Sequence, residues 1–209
     1  MNHKAYRKNQ NPKNPAKCQQ LKLLTVTPNE LTPNGRLWLT DLDQVVRRSH
    51  TPLIFIYKLK QNHSRNLKNL SQQNSCSLLY IYPIAGRYCF TDGGRIELNL
   101  NAKGAVLIEA ETTKTFHDYG DFSPDSTKEL IPIIDYNQPM EEVPLFVAQV
   151  TRFQNKDESF GFAIAVSYSH TLSDAFGFFS LMNSWAKIAR GENTRAFVAQ
   201  STKIRAFVT

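Results

Sequence analysis

Two largely apolar runs, Leu145–Phe153 and Phe160–Tyr168, flank a polar stretch at Asn155–Glu158. Their wealth of Val, Ile, Phe and Tyr reads as strand, and the short polar turn between them makes a hairpin. The second run ends abruptly at Ser169-His170. A helix is predicted from about Asp174, with Phe178, Met182, Trp185 and Ala189 on one face. Arg190 then Gly191 is a natural helix end, a cation in the last turn followed by glycine. This order, strands then a packed helix, constrains the whole chain to a sheet-and-helix fold.

The rest of the sequence agrees. Leu21–Thr27 reads as a strand, and Leu53–Leu59 as a strong buried one. Pro28, Pro33 and Asn34-Gly35 mark turns, and Thr40 followed by Asp41 and Asp43 offers a helix cap. Leu67–Tyr82 fits an amphipathic helix, with Leu67, Leu70, Leu78 and Ile81 on one side and Pro83 ending it. Tyr88–Thr91 and Arg95–Leu100 form a hairpin across Asp92-Gly93-Gly94, in which Ile96, Leu98 and Leu100 alternate with Glu97 and Asn99. Ala105–Glu111 is a further strand. Residues 112–144 are polar and broken by proline, a long connection with short pieces of structure. The fold class expected is α+β, a mixed sheet with packed helices.

Composition excludes several classes. Hydrophobic residues are 41% and charged residues 21% of the 209, with 13 Phe and 8 Tyr, so there is material for a core. No apolar run approaches the roughly 18–20 residues of a membrane span. The three cysteines, Cys18, Cys76 and Cys89, show no paired spacing, which suits a reducing compartment. With no apolar stretch behind the charged N-terminus, a cytoplasmic location without membrane contact is expected. The net charge is +7, and residues 1–22 hold six Lys/Arg and no acid. The segment 1–20, rich in Asn, Gln, Pro and Lys, reads as a disordered basic tail. It has little aromatic content, so nucleic acid is not an expected partner. Residues 192–209 carry a weak, mixed pattern.

The sharpest chemical pair is His170 and Asp174. A strand delivers the imidazole to a turn, which leaves it accessible, and Asp174 opens the next helix, where a carboxylate is favoured. From the residues alone, a helix cap beside a hydrogen-bonded histidine is favoured over a catalytic pair. Other chemistries are weaker. His117-Asp118 lacks the further ligands of a zinc site, no G-x-S-x-G elbow occurs, and Glu141-Glu142 reads as a solvated turn. No metal is expected.

Several ordered segments resemble the plant BAHD family of acyl-CoA-dependent acyltransferases. His170-x-x-x-Asp174 resembles that family's H-x-x-x-D-G motif, with Ala175 where glycine is usual. Phe176-Gly177 and Asn183-Ser184-Trp185-Ala186-Lys187-Ile188-Ala189-Arg190-Gly191 resemble the helix that follows it. Tyr82-Pro83-Ile84-Ala85-Gly86-Arg87 resembles its Y-P-L-A-G-R segment. Thr32–Thr40 with Asp43-Gln44 is similar to members that acylate spermidine or shikimate. Gly94–Glu111 and Tyr119–Pro124 are similar to the spermidine hydroxycinnamoyl transferase branch. The resemblance covers about residues 23–191.

The resemblance implies a chloramphenicol-acetyltransferase-like fold of two halves, with the active site in a tunnel between them. It implies that this chain supplies the N-terminal half only, residues 21–191 forming one domain and 192–209 a divergent tail. The second half holds the D-F-G-W-G motif and much of the coenzyme A site. Implied too is transfer of an acyl group, hydroxycinnamoyl in that branch, from acyl-CoA as co-substrate to an amine or hydroxyl acceptor such as spermidine, with no permanently bound cofactor. His170 would be the general base, and Asp174 a structural partner turned away from substrate. The alternative is a truncated, non-catalytic fragment acting through protein binding. On either reading weak self-association through the exposed half-interface is expected, and poor acyl-CoA binding and slow turnover by the chain alone.

Overall fold

A computed structural model describes residues 18–28, 31–59, 78–153, 160–190 and 192. Among the described residues, eight strands form two sheets. β1 (Gln19–Val26), β6 (Ala105–Glu111), β7 (Phe146–Arg152), β8 (Phe160–Ser169) and β3 (His50–Leu59) form the larger, in the spatial order β1-β6-β7-β8-β3. β2 (Arg36–Trp38), β5 (Ile96–Asn99) and β4 (Arg87–Phe90) form the smaller, in the order β2-β5-β4. The larger sheet is mixed, because β6 and β7 run parallel while its other pairs are antiparallel. The helices are α1 (Asp41–Val45), α2 (Pro124–Thr127) and α3 (Ala175–Ala189), with 3-10 turns at Leu78–Ala85, Phe116–Tyr119 and Lys128–Leu130. The α+β class expected from the sequence is what forms.

The apolar hairpin becomes β7 and β8, paired from Phe146–Tyr168 to Arg152–Phe162; its predicted turn at Asn155–Glu158 lies outside the described residues. Strand alternation divides β8 between two cores. Phe162, Ile164, Val166 and Tyr168 face α3, where they pack with Phe146, Ala148, Phe178, Met182 and Trp185. Ala163 faces the opposite side, against Tyr119, Leu130 and Phe153. There the long connection 112–144 folds over the sheet, so each face of β8 is covered. Phe178 is 0% exposed and stacks on Tyr168 with ring centroids 4.2 Å apart. A third cluster, Leu39, Tyr88, Ile96, Leu98 and Leu145, fills the space beside the small sheet.

The predicted hairpin closes through Thr91 N–H to Arg95 O at 2.9 Å and Gly94 N–H to Thr91 O at 2.8 Å. The predicted cap at Thr40 is a capping box. Its hydroxyl accepts from Asp43 N–H at 3.2 Å, and the Asp43 carboxylate accepts from Thr40 N–H at 2.9 Å.

Three expectations differ in detail. β1 begins at Gln19, inside the stretch read as tail, because an edge strand needs only backbone pairing and its glutamines face water. Leu53–Leu59 is an edge rather than a buried strand. Among the described residues β3 has β8 as its one hydrogen-bonded neighbour, and Tyr57 and Lys58 are exposed. The helix read over Leu67–Tyr82 falls largely outside the described residues. Its described end, from Leu78, is a 3-10 turn that runs through Pro83 to Ala85, since the proline φ suits that turn.

Candidate active site at the end of β8

β8 ends at Ser169, and His170 is the first residue of the turn that follows. Its parity is that of Tyr168, so it sits on the α3 side, its ring stacked over Tyr168 at 6.4 Å with planes 24° apart. His170 is exposed, while Ser169 and Thr171 on either side are buried. The ring borders an open groove of about 410 Å³ lined by Val46, Arg47, Ser49, Thr51 and His170. Such a volume suits a small organic ligand.

The turn is held rigid by hydroxyls. The phenol oxygen of Tyr88, on β4 of the small sheet, hydrogen-bonds both Ser169 Oγ and Thr171 Oγ1. Those two oxygens lie 2.9 Å from each other. Ser169 N–H donates to Leu145 O at 2.9 Å, and Leu172 N–H to Ser169 O at 3.0 Å. The residues on both sides of His170 are thus pinned to a second sheet, while among the described residues its imidazole has no hydrogen-bond partner. Sequence reasoning missed Tyr88. Its neighbour Arg87 closes the recognised motif, but no local pattern links position 88 to a turn 81 residues on.

Asp174 caps α3. Its Oδ1 accepts from Gly177 N–H at 2.8 Å, and its carbonyl accepts from Phe178 N–H at 3.0 Å. Among the described residues it has no salt-bridge partner. Burial, and to a smaller extent the Asp174 charge, push the Tyr168 phenol above its ordinary pKa. Beyond the cap, Phe176 and Phe179 stand 82% and 48% exposed on the first turns of α3.

A second histidine lies one strand away. His50 begins β3 and pairs with Ser169, and alternation sends its ring to the opposite face of the sheet. Its Nε2 lies 2.7 Å from Pro144 O, and its Nδ1 lies 2.8 Å from the Tyr136 hydroxyl. A carbonyl only accepts, so Nε2 carries the proton and Nδ1 accepts from Tyr136. The same hydroxyl accepts from His50 N–H at 2.9 Å. Every polar atom of this imidazole is committed, and burial lowers its pKa.

The remaining motif residues are structural. A Cβ on Gly86 would stand 2.6 Å from Asn99 O. Arg87 is buried, and its Nη1 donates to Gly86 O and Gly104 O at 2.7 and 2.8 Å. The segment therefore locks β4 to the turn before β6. Asp118 closes a capping box with Thr115, and His117 lies on the same short turn. Glu142 pairs with Lys103 at 2.7 Å. Cys18 and Cys89 are free thiols, and burial pushes that of Cys18 up to about 11; Cys76 lies outside the described residues. Among the described residues no group of His, Cys, Asp and Glu is placed to hold a metal, and no helix is long and apolar enough to cross a membrane.

Comparison with known proteins identifies the family and the fold. A protein-family model described as Transferase family matches residues 17–207, running past residue 191. The chain is 42% identical over 170 residues to hydroxycinnamoyl-CoA:piscidic acid hydroxycinnamoyltransferase of Actaea racemosa, a match covering 80% of this chain and 37% of the relative. It is 36% identical over 180 residues to anthranilate N-benzoyltransferase protein 1 of Dianthus caryophyllus, covering 79% and 39%. The chain thus spans less than two fifths of the curated relatives it matches. In fold it is similar to vinorine synthase, with a TM-score of 0.64 at 21% identity, covering 85% of this chain and 44% of that one. The chain belongs to the Transferase family, the BAHD acyltransferases.

Proposed function

We propose that this chain contributes the general base to transfer of an acyl group from acyl-CoA to the hydroxyl or amine of a small acid. The observation that carries it is the exposed imidazole of His170, held on a pinned turn at the mouth of a groove. A neutral imidazole has an ordinary pKa near 6.5 and accepts a proton near neutral pH. His170 takes the proton from the acceptor O–H or N–H while that atom attacks the thioester carbonyl. The tetrahedral intermediate collapses, the C–S bond breaks, and the imidazolium returns its proton to the departing CoA thiolate. Base catalysis of this kind contributes about 10²–10⁴-fold. Asp174 works through structure, since its carboxylate fixes the first turn of α3 behind the histidine.

Support for a hydroxycinnamoyl or benzoyl donor, and for an acid as acceptor, comes from the relatives, whose names specify those acyl groups and piscidic acid or anthranilate. Spermidine, the acceptor implied by motif resemblance, occurs in neither name. A cationic Arg47 in the same groove also disfavours a polycation. The exposed Phe176 and Phe179 favour weak association of this face with another apolar surface.

The test is release of free CoA from coumaroyl-CoA, with anthranilate or spermidine as acceptor, by the wild-type chain and His170→Ala. Slow release that depends on His170 and prefers the acid is expected, and a separately expressed second half of a relative should accelerate it. Release unchanged by His170→Ala would overturn the base assignment. A preference for spermidine would overturn the acceptor class.

A further inference from the structure

We infer that Arg47 receives the carboxylate of the acceptor in the groove beside His170. This rests on the acyl-transfer reading above and adds to it the group that orients the acceptor.

Three observations point there. Arg47 lines the groove together with His170, Thr51, Ser49 and Val46. The acids nearest to it in the chain are already engaged: Asp41 pairs with Arg95 at 2.7 Å, and Asp43 closes the Thr40 capping box. Among the described residues Arg47 itself has no ion-pair partner, although a guanidinium is the side chain best shaped to pair with a carboxylate. The lining is otherwise short or apolar, with no carboxylate among its five residues. Among the described residues that line it, an anion entering this groove therefore meets one cation and no competing acid.

Geometry supplies the chemistry. A guanidinium binds a carboxylate through two parallel N–H···O contacts, which fix direction as well as position. A carboxylate docked on Arg47 leaves the rest of a small acceptor inside the groove of about 410 Å³. Val46, in the same lining, supplies apolar surface for a ring, and on this proposal the reacting amine or hydroxyl lies toward His170. Holding the acceptor by the end remote from the reacting atom is how a positioning contact raises the chance of attack.

The test uses the full chain, with the His170 ring resonances as reporter. Three ligands are titrated: anthranilate, anthranilamide, which keeps the ring and amine but lacks the charge, and CoA, which offers phosphates instead. Each is run on the wild type, Arg47→Gln, Arg47→Lys and the neighbouring Arg48→Gln. Anthranilate is expected to shift the His170 signals in the wild type. Its Kd should rise about five- to tenfold in Arg47→Gln, recover in part in Arg47→Lys, and stay unchanged in Arg48→Gln. Anthranilamide should bind more weakly than anthranilate and be indifferent to Arg47.

Equal anthranilate binding by Arg47→Gln, no response of His170 in the wild type, or a loss confined to CoA would overturn the proposal. The underlying reading fails separately, by CoA release that ignores His170→Ala. Release that needs His170 but shows no preference for the acid over its amide would sink the role of Arg47 alone.

Discussion

His50 and His170 sit on adjacent strands at the same end of one sheet, and the structure treats them in opposite ways. His50 pairs directly with Ser169, so the two imidazoles are separated by one residue and one strand. Because side chains alternate across a sheet, that single step puts them on opposite faces. On the face covered by the 112–144 connection, Pro144 and Tyr136 take up both ring nitrogens of His50. On the face covered by α3, the helix starts only at Ala175, and His170 is left beside an open groove. Imidazole chemistry is the same in both. The difference is made by which element covers the face and how far it extends. A histidine whose donors and acceptors are all satisfied is a structural clamp, whereas one held by its backbone with its ring free can exchange protons with a ligand.

The largest effect that separates the two faces is expected from Phe178→Ala. Phe178 is fully buried and stacks beneath Tyr168, which in turn underlies His170. Truncating a buried phenylalanine costs about 3–5 kcal/mol. Urea unfolding should show that loss, and hydrogen exchange should rise in α3 and the 169–172 turn before it rises near His50. Equal loosening of both faces would break the comparison.

Smaller losses follow from the hydroxyl clamp. Tyr88→Phe removes the hydrogen bonds to Ser169 and Thr171 but leaves those two bonded to each other. A cost of about 1–2 kcal/mol is expected, with broadening of the His170 ring signals and none of His50. Asp174→Ala removes the cap of α3 for about 1 kcal/mol. Asp174→Asn keeps an acceptor oxygen and should lie within a few tenths of the wild type. A large loss in the Asn variant would mean that the charge, rather than the cap, is what matters.

His50 gives the smallest and most specific signature, a dependence on pH. Burial lowers its pKa in the folded chain, so between that value and about 6.5 the unfolded state binds more protons. Stability should therefore be constant above about 6.5, fall as pH drops through that window, and level off below the folded pKa. The carbonyl of Pro144 partly offsets the burial, so the slope is modest. Stability curves of the wild type and His50→Gln should differ in slope only there. Parallel curves would show that burial does not hold the His50 pKa down.

Local signals in the chain announced much of this. The apolar run ending at Ser169-His170, the cap residue Asp174 and the Thr40 box were readable because each depends on neighbours within four residues. The paired hairpins were readable for the same reason, as period-2 patterns joined by turn residues. What could not be read was anything fixed across the sheet order. The edge position of β3 follows from which strand lies beside it, and Leu53–Leu59 looks as apolar as a central strand. Tyr88 reaches Ser169 from another sheet, and Tyr136 reaches His50 from 86 residues away. No sequence pattern singles out Arg47; only the groove places it with His170.

The most direct test of the account is the relative reactivity of the two imidazoles in the folded chain. Brief treatment with diethyl pyrocarbonate, followed by peptide mass spectrometry, reads carbethoxylation at each histidine. His170 should react as an exposed imidazole, and His50 at least about tenfold more slowly, through rare local opening. Equal rates at the two positions, or protection of His170 while His50 reacts, would contradict the claim that His170 is the histidine this fold leaves free for acyl-transfer chemistry.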